Sequence, residues 1–348
     1  MNIELRKFSP GNISIVYLYA IGFIIFALWI PDLWINWTTH RATLNIDVAT
    51  RAIVAVGLVT PLLTGTFDLS IAGTISLSSV MVSWLQAEHG VSITLAIIIT
   101  LLIALGCGAL NAVLIVGVRM NSFIATLGTG AVLAALAEYV TGGVQITGYD
   151  PNFKKLAINE IFGGIQLKVL ILVIITVILW YVIEHTPTGR YLQATGDGPD
   201  AARLAGVQTS RYVAGSLLVS AFIAGVGGIL AAAQTAGNAT AGAPFLLPAF
   251  AAAFLGSTQF KGRFNAWGTV ASVFVLASMV AGLNRAISST DIRRILDDLF
   301  FGLALIAAVG LSSLLTRYRE YSAFRSRVRG AHEESDSDQA SVPSPDET

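Results

Sequence analysis

Long apolar stretches without a single charged residue dominate the chain. No Asp, Glu, Lys or Arg occurs between Lys7 and Asp32, or between Glu88 and Arg119. Each of these stretches is long enough to cross about 30 Å of hydrocarbon as one helix. Short polar segments separate the stretches, so the pattern predicts a series of membrane-spanning helices.

The interval from Arg211 to Lys261 is also free of charge but too long for one helix. We therefore expect two spans there, with residues 236–242 as the polar turn between them. The whole pattern predicts ten spans, near residues 14–31, 45–64, 69–86, 92–117, 122–142, 169–184, 213–234, 245–257, 265–284 and 295–315. An even number puts both termini on one side, and the excess of Lys and Arg on that side marks it as cytoplasmic.

The composition agrees with a membrane location. Hydrophobic residues make up 54% of the 348, charged residues only 12%, and the mean hydropathy is +0.71. The single cysteine, Cys107, excludes a disulfide within the chain, and the four histidines lack the paired spacing of a metal site. We expect an all-α polytopic protein of the plasma (inner) membrane, without a metal or cofactor of its own.

The C-terminal part of the chain differs in composition from the rest. Residues 317–330 are rich in arginine, which fits attraction to anionic lipid head groups or an ordinary cytoplasmic flank. Residues 331–348 are rich in acids and serine, which predicts a disordered cytoplasmic tail. Residues 1–316 are left as the transmembrane domain.

Charged residues also stand at the start of the last expected span. Asp297 and Asp298 follow Arg293 and Arg294 by about one helical turn. This spacing predicts a local cluster of ion pairs.

Polar side chains within the apolar blocks are the candidate functional residues. Asp68, followed by Ser70, is an ionisable group near membrane depth, which favours a functional role or an N-cap for the next span. Asn111 and Thr126 are uncharged, and such groups more often join helices than contact a solute. A second apparent break lies at residues 255–269. Interrupted segments in two halves of a chain are typical of transporters with internal repeats.

A short polar helix is predicted in the segment Gly196–Gly206. Pro199 suits a first helical position, Asp200 suits the positive end of the helix dipole, and Gly206 can end the helix in the left-handed conformation. Such a short helix is marginal in water by itself. We therefore expect it to dock on a cytosolic partner.

The chain contains no recognisable enzyme site. It has no Gly-Lys dipeptide, so it lacks a P-loop for nucleotide binding. It also lacks the HExxH zinc motif and any Ser-His-Asp arrangement. If ATP drives its activity, hydrolysis takes place on another subunit.

Four collinear motifs resemble one family. They are Phe67-Asp68-Leu69-Ser70 with Gly73; Asn121-Ser122-Phe123-Ile124-Ala125-Thr126-Leu127-Gly128-Thr129; Thr188-Gly189-Arg190-Tyr191 continuing to Asp200-Ala201-Ala202-Arg203-Leu204-Ala205-Gly206; and Leu255 to Thr269. Together they resemble the permease subunit of ribose-type, or simple-sugar, ABC importers, over about residues 50 to 315. Ala72 and Asn121 depart from the family pattern, where glycine and proline are usual.

The resemblance implies a type II-like ABC importer permease with two related halves. It implies a second permease copy, identical or paralogous, an extracytoplasmic solute-binding protein and a cytoplasmic ATPase that carries ATP and Mg. Nucleic acid is not an expected partner. The loop 186–211 would contact the ATPase through Asp200, Ala201, Ala202, Arg203, Leu204 and Gly206. The translocation pathway would involve Asp68, Ser70, Asn111, Phe123, Thr126, Gly256 and Asn265.

The resemblance implies a small polar solute, with a monosaccharide as the default. A secondary transporter driven by an ion gradient is the alternative. That class would need ionisable residues at the bilayer midplane, and Asp68 is the one plausible example.

Overall fold

The computed structural model describes residues 14–259, 263–287, 292 and 295–310, which form an almost entirely helical bundle. The basic segment 317–330 and the acidic tail 331–348 lie outside these residues. The helices are α1 (Ser14–Trp29), α2 (Pro31–Trp34), α3 (Trp37–Thr43), α4 (Ala49–Leu63), α5 (Ile71–Ala87), α6 (Ile93–Ala112), α7 (Ser122–Thr141), α8 (Lys155–Ile158), α9 (Leu167–His185), α10 (Pro187–Asp197), α11 (Pro199–Leu204), α12 (Thr209–Gln234), α13 (Ala243–Gln259), α14 (Ala266–Ala286) and α15 (295–310).

Three shorter helical pieces adjoin these helices. A π-helical turn at Leu44–Val48 joins α3 to α4, and a second at Val113–Gly117 extends α6. A 3-10 turn at Pro151–Lys154 precedes α8. The helices α3 and α4 and the π-helical turn between them form one continuous helix, which corresponds to the span expected at 45–64. It begins earlier, at Trp37, because the Asn36 side chain caps its first turn.

Within the described part of the chain, six helical stretches are long and apolar enough to cross a membrane. They are Trp37–Leu63, Ile93–Gly117, Ser122–Thr141, Leu167–His185, Thr209–Gln234 and Ala266–Ala286. Shorter apolar helices lie at Ile15–Trp29, Ile71–Ala87 and Ala243–Thr258. Nine of the ten expected spans overlap one of these nine helices, and the tenth, 295–315, extends beyond the described residues. Six helices long enough to cross a membrane make the protein a polytopic membrane protein.

Helix α12 lies at the centre of the bundle. It packs against α4, α5 and α6, while α7 covers another side of α5 and α13 packs on α4 and α14. Because α4 is enclosed by α9, α12, α13 and α14, nearly all of its side chains are buried. The largest apolar cluster is built around α4, which makes this helix the core of the described structure.

The two ends of the bundle differ. α9 and α12 each run from one end to the other, so α10 and α11 lie at one end and the segment before α9 lies at the opposite end. That segment contains a small antiparallel hairpin, β1 (Glu160–Phe162) with β2 (Ile165–Gln166). Arg41 donates to the Gly163 carbonyl oxygen at 3.0 Å, and Asn45 donates to that of Gly164 at 2.8 Å. The sequence pattern did not predict this hairpin.

A group of ion pairs ties α15 to α4. The Arg51 guanidinium lies 3.5 Å from the Asp297 carboxylate and 3.7 Å from that of Asp47, and its carbon is 5.6 Å from the centre of the Phe301 ring. Asn284 of α14 donates to Asp297 at 2.9 Å. Asp297 thus belongs to an ion-pair cluster near the last span, as predicted, but its partner Arg51 is distant in sequence. The expected partners Arg293 and Arg294 lie outside the described residues.

Residues 236–242 separate α12 from α13, as predicted, and the Ala241 N–H donates to the Asn238 carbonyl oxygen at 3.1 Å. This non-helical stretch also runs back along α5, from Ser83 to Ala72. The serines of α5 supply hydrogen bonds to its backbone, which a pattern of polar and apolar residues could not reveal.

Candidate functional site

The short helix expected after Gly196 is present as α11. Pro199 occupies its first turn, and Gly206 has a φ of +85°, a conformation that glycine adopts without strain. The backbone N–H of Gly206 donates to the Arg203 carbonyl oxygen, and that of Val207 donates to Ala202, both at 2.9 Å. These bonds end the helix where the sequence indicates.

One face of α11 is free and the other is attached to the bundle. Ala202 is buried, whereas Leu204 is 91% exposed. The exposed side chains of Asp200 and Arg203 form an ion pair one turn apart. The free face therefore presents one large apolar side chain beside a fixed pair of charges.

Helix α10 connects α11 to the bundle. It packs against α4, α9 and α12, and Gly196 lies so close to α4 that a Cβ there would overlap the Leu63 carbonyl oxygen. Leu63 is the last residue of α4, immediately before the break that contains Asp68. A displacement of α10 would therefore push directly on the beginning of this break.

The break between α4 and α5 is organised by the Asp68 carboxylate, which is 1% exposed. Its Oδ1 accepts hydrogen bonds from the Ser70 hydroxyl at 2.6 Å and the Ser70 N–H at 3.1 Å. Its Oδ2 accepts from the Ser220 hydroxyl of α12 at 2.7 Å. The N-cap residue of α5 is Ser70 and not Asp68, and the Asp68 carboxylate holds Ser70 in place and joins the break to α12.

The network continues from Ser70 into α6 and α7. Asn111 donates from Nδ2 to the Ser70 hydroxyl oxygen at 2.7 Å, and its Oδ1 accepts from the Thr129 hydroxyl at 2.6 Å. The Thr126 hydroxyl oxygen accepts from the Leu69 N–H at 3.0 Å. Asn111 and Thr126 therefore join helices to the break, one of the two roles that the sequence left open.

The structure brings four of the seven predicted pathway residues together: Asp68, Ser70, Asn111 and Thr126. Each of them is buried in this conformation. Phe123 lies at the start of α7 and is 49% exposed. The Phe67 ring, within the break, stacks on Phe250 and Phe254 of α13 with ring centres 6.3 and 6.5 Å apart.

The other two predicted pathway residues meet where the end of α13, which contains Gly256, lies against the start of α14, which Asn265 caps. The Asn265 side chain accepts from the Gly268 N–H at 2.6 Å, which caps the helix, and donates to the Gly256 carbonyl oxygen at 3.3 Å. A Cβ at Gly256 would lie 2.6 Å from the Gly268 carbonyl carbon. These contacts hold α13 and α14 in close approach.

Ser220 is the member of the Asp68 network that sequence reasoning missed. It is one of several hydroxyl residues on the otherwise apolar α12, and nothing local distinguishes it from Ser216. Among the described residues, no group of three or more His, Cys, Asp or Glu could hold a metal ion. The buried cluster is therefore a hydrogen-bonded junction of helices around one carboxylate.

Known proteins resemble the chain over most of its length. The ribose import permease protein RbsC of Bacillus subtilis (strain 168) is 33% identical over 241 residues, which cover 68% of this chain and 74% of that protein. RbsC of Haemophilus influenzae is 27% identical over 316 residues, 89% of this chain and 96% of that protein. The autoinducer 2 import system permease protein LsrD of Klebsiella pneumoniae subsp. pneumoniae is 30% identical over 79% of this chain and 83% of that protein.

No solved structure gives a significant match. Residues 42–309 match the profile of a family described as "Branched-chain amino acid transport system / permease component". The matched region contains α11, the Asp68 break and the α13–α14 contact. The chain therefore belongs to this family of transport-system permease components.

Proposed function

We propose that the chain is the membrane-spanning permease subunit of an ATP-driven importer in the plasma membrane, and that its solute is a monosaccharide or a molecule of similar size. Membership of the permease family is the observation that carries this proposal. The relatives named for ribose and autoinducer 2 import support the solute class. The chain itself is non-catalytic, and ATP and Mg bind to a separate ATPase subunit.

The exposed face of α11 is the docking surface for the ATPase in this proposal. Leu204 would fill an apolar depression on the partner, where burial of a leucine stabilises a complex by about 2 kcal/mol. The ion pair between Asp200 and Arg203 would set the orientation of the helix at the rim. This arrangement explains why a large apolar side chain stands exposed beside charges.

The contact of Gly196 with Leu63 provides a route from the ATPase to the pathway. Helix α10 transmits movement of α11 to the last turn of α4 and so to the Asp68 break. Rigid-body motion of a packed element is a common basis of alternating access. In this proposal, closure of the ATPase pair on ATP moves the break and changes the side from which the pathway is open.

The complete importer contains a second permease copy, identical or paralogous, and an extracytoplasmic solute-binding protein. We infer ten crossings in two related halves, with both termini cytoplasmic. This orientation places α10 and α11 on the cytoplasmic side, where an ATPase can reach them. It also places the β1–β2 hairpin on the outer side, where the binding protein docks.

Reconstitution tests the energy source. The chain is assembled with its ATPase and binding protein in proteoliposomes, and uptake is measured with internal ATP or with a proton or sodium gradient. Uptake that requires ATP and the ATPase supports the proposal. Uptake by the chain alone on an ion gradient would show that it is a secondary transporter.

The solute is identified from the binding protein. Its affinity is measured against pentoses, hexoses, polyols, autoinducer 2 and branched-chain amino acids, since the family description names the last class. Tightest binding of a monosaccharide or autoinducer 2 supports the proposed solute class. Selective binding of leucine, isoleucine or valine would replace it.

The substitution Leu204→Ser tests the docking surface. We expect it to weaken ATPase binding about tenfold or more, because the lost apolar burial amounts to roughly 2 kcal/mol. The matched control is Ala205→Ser, which alters an exposed neighbour without removing a large apolar group. Co-purification of the ATPase is the measurement, and equal recovery with both variants would place the docking surface elsewhere.

A further inference from the structure

A non-helical segment, residues 235–242, enters the helical bundle between α12 and α13. The Gly237 N–H and carbonyl oxygen pair with those of Ile146 at 3.0 and 2.9 Å. The Tyr149 hydroxyl lies 3.0 Å from the Ala232 carbonyl oxygen and 3.3 Å from that of Thr235, at the end of α12 where the segment begins. The start of the segment is thus fixed at the end of the bundle opposite α11.

The segment then runs toward the other end, along α5. The Asn238 N–H donates to the Ser79 hydroxyl oxygen at 3.3 Å, and the Gly242 N–H donates to that of Ser76 at 3.0 Å. A Cβ at Gly237 would meet Ser83, and a Cβ at Gly242 would meet the Ala72 carbonyl. Ser83 and Ala72 are eleven residues apart, so the segment covers about 16 Å of the helix.

The segment reaches the middle of a candidate membrane span. Gly73 of α5 faces Gly130 of α7 so closely that a Cβ on Gly73 would overlap the Gly130 carbonyl. Gly130 lies near the centre of the span Ser122–Thr141. Because Gly242 contacts Ala72, next to Gly73, the non-helical backbone ends at about the depth of Gly130, near the centre of that span.

Non-helical backbone at membrane depth is tolerated only where protein buries it or where it lines a water-filled cavity. The side of the segment that faces α5 is buried, since Ala239 packs there and the serines satisfy the backbone. The opposite side is open, with Thr240 exposed and Asn238 partly exposed. Contact of this side with lipid would leave polar groups without partners, so it faces water.

The open side presents hydroxyl and amide groups without charge. The Asn238 Oδ1 accepts from the Thr240 N–H at 2.9 Å and from its hydroxyl at 3.0 Å. This leaves the Thr240 hydroxyl oxygen as an acceptor, and the Asn238 Nδ2 donates to no described residue. Residues 235–244 contain no ionisable side chain. Such a surface suits the hydroxyl groups of an uncharged solute better than the two charges of an amino acid.

We propose that residues 238–244 line the solute pathway and that Thr240 and Asn238 bind hydroxyl groups of an uncharged, sugar-like solute. This inference rests on the proposed function and names a site for it. The pathway then passes from this segment to the Asp68 break, because Gly242 reaches Ala72, two residues beyond Ser70. Two non-helical segments that enter from opposite ends of the bundle meet beside the first turn of α5.

Cysteine labelling in the assembled importer tests the lining. Cys107 is the only cysteine, so Cys107→Ala gives a cysteine-free parent into which Thr240→Cys is introduced. A charged, membrane-impermeant methanethiosulfonate reagent is the probe. Because only a hydrated thiolate reacts, we expect Thr240→Cys to react about tenfold or more faster than the controls.

Two control positions distinguish a thiol that faces water from one that is buried and from one that faces lipid. Ala239→Cys places the thiol on the buried side of the same segment, and Leu102→Cys places it on α6 at a residue that is 62% exposed on the apolar surface. Ala243→Cys, also exposed, replaces Thr240→Cys if that variant fails to assemble. A rate at the test position no higher than at Leu102→Cys would overturn the inference.

Uptake tests the solute contact. Thr240→Val removes the hydroxyl at nearly constant shape, so we expect a fivefold to tenfold loss of ATP-driven uptake at low solute, roughly the effect of one hydrogen bond. Thr240→Ser should retain most of the activity. Equal uptake by both would overturn the contact. Absence of ATP-driven uptake by the unmodified importer would instead contradict the proposed function, so the two failures are distinguishable.

Discussion

At the residue scale, the hydrogen bonds of the break converge on one group. The Thr129 hydroxyl donates to Asn111, Asn111 donates to Ser70, and Ser70 donates to Asp68. The donors in this chain all point toward the carboxylate. Asp68 is therefore the final acceptor in this chain of hydrogen bonds. Its removal affects α6 and α7, which the chain connects, and α12, which contributes Ser220.

The substitution Asp68→Ala should destabilise the permease by about 2 to 3 kcal/mol, because buried donors on Ser70 and Ser220 lose their acceptor. Asp68→Asn keeps one acceptor oxygen and should cost less. Unfolding in a denaturing detergent measures the difference. The control is Ser78→Ala on α5, whose buried hydroxyl has no partner among the described residues. A similar loss for Ser78→Ala would show that Asp68 has no special role.

Asn111 and Thr100 form a second comparison, because both are buried on α6. Asn111 makes two hydrogen bonds to other elements, whereas the Thr100 hydroxyl has no partner within the described structure. We expect Asn111→Ala to lower the free energy of unfolding by roughly 2 kcal/mol and Thr100→Ala to change it by less than about 0.5 kcal/mol. If the two variants unfold alike, the network does not stabilise the junction.

The sequence revealed some members of this network and not others. Asp68 could be predicted, because a carboxylate within apolar blocks is costly unless it has a specific environment. Ser220 could not, because its importance depends on which part of α12 faces the break. Such a contact between residues 152 positions apart is decided by helix packing, which local pattern does not encode.

At the element scale, the short helices α10 and α11 form a connection between the exposed Leu204 and α4. Gly196 is the point of contact, since the backbone of α10 touches the Leu63 carbonyl there. A side chain at this position must push α10 away from α4. The distance between the two elements thus depends on one glycine.

We expect Gly196→Ala to uncouple ATP hydrolysis from uptake. The variant should still bind the ATPase through α11, while stimulation of hydrolysis by the loaded binding protein should fall severalfold. Gly215→Ala on α12 is the control, because a Cβ there meets nothing within 4 Å. Coupled uptake at the parental rate in Gly196→Ala would exclude this contact as the transmission point.

The elements that the sequence predicted well are those with strong local signals. Charge-free apolar runs located the long helices, and Pro199 and Gly206 located α11. Residues 236–242 were predicted as the turn between two spans and do separate α12 from α13. Their contacts along α5 could not be predicted, because small and polar residues look alike in a surface turn and in a buried stretch backed by serines. The hairpin around Gly163 was missed since its partners, Arg41 and Asn45, are far away in sequence.

At the scale of the whole molecule, the Arg51 cluster connects early and late parts of the chain. Its partners Asp47 and Asp297 belong to the beginning of one membrane helix and to α15. Charged side chains within a membrane helix are stable mainly as pairs. The position of α15 on the bundle therefore depends on a residue nearly 250 positions earlier in the sequence.

We expect Arg51→Leu to destabilise the permease by about 2 kcal/mol, since two carboxylates lose their cation. The double variant Arg51→Leu with Asp297→Leu should recover part of the loss, because apolar residues can replace an ion pair at little cost. Unfolding midpoints of the single and double variants give the coupling. Strictly additive losses would show that the pair does not attach α15.

Close contacts between backbones near Ala72 also constrain how the protein can vary. A Cβ on Gly73 would overlap the Gly130 carbonyl oxygen, and a Cβ on Gly242 would overlap that of Ala72. No smaller residue exists, so mutation at Gly73 or Gly242 can only move elements apart. A saturation scan should find them almost invariant, while Gly128, two residues from Gly130 and with open space around it, tolerates alanine. Widening of this region in evolution must therefore come from movement of whole helices and not from trimming of side chains.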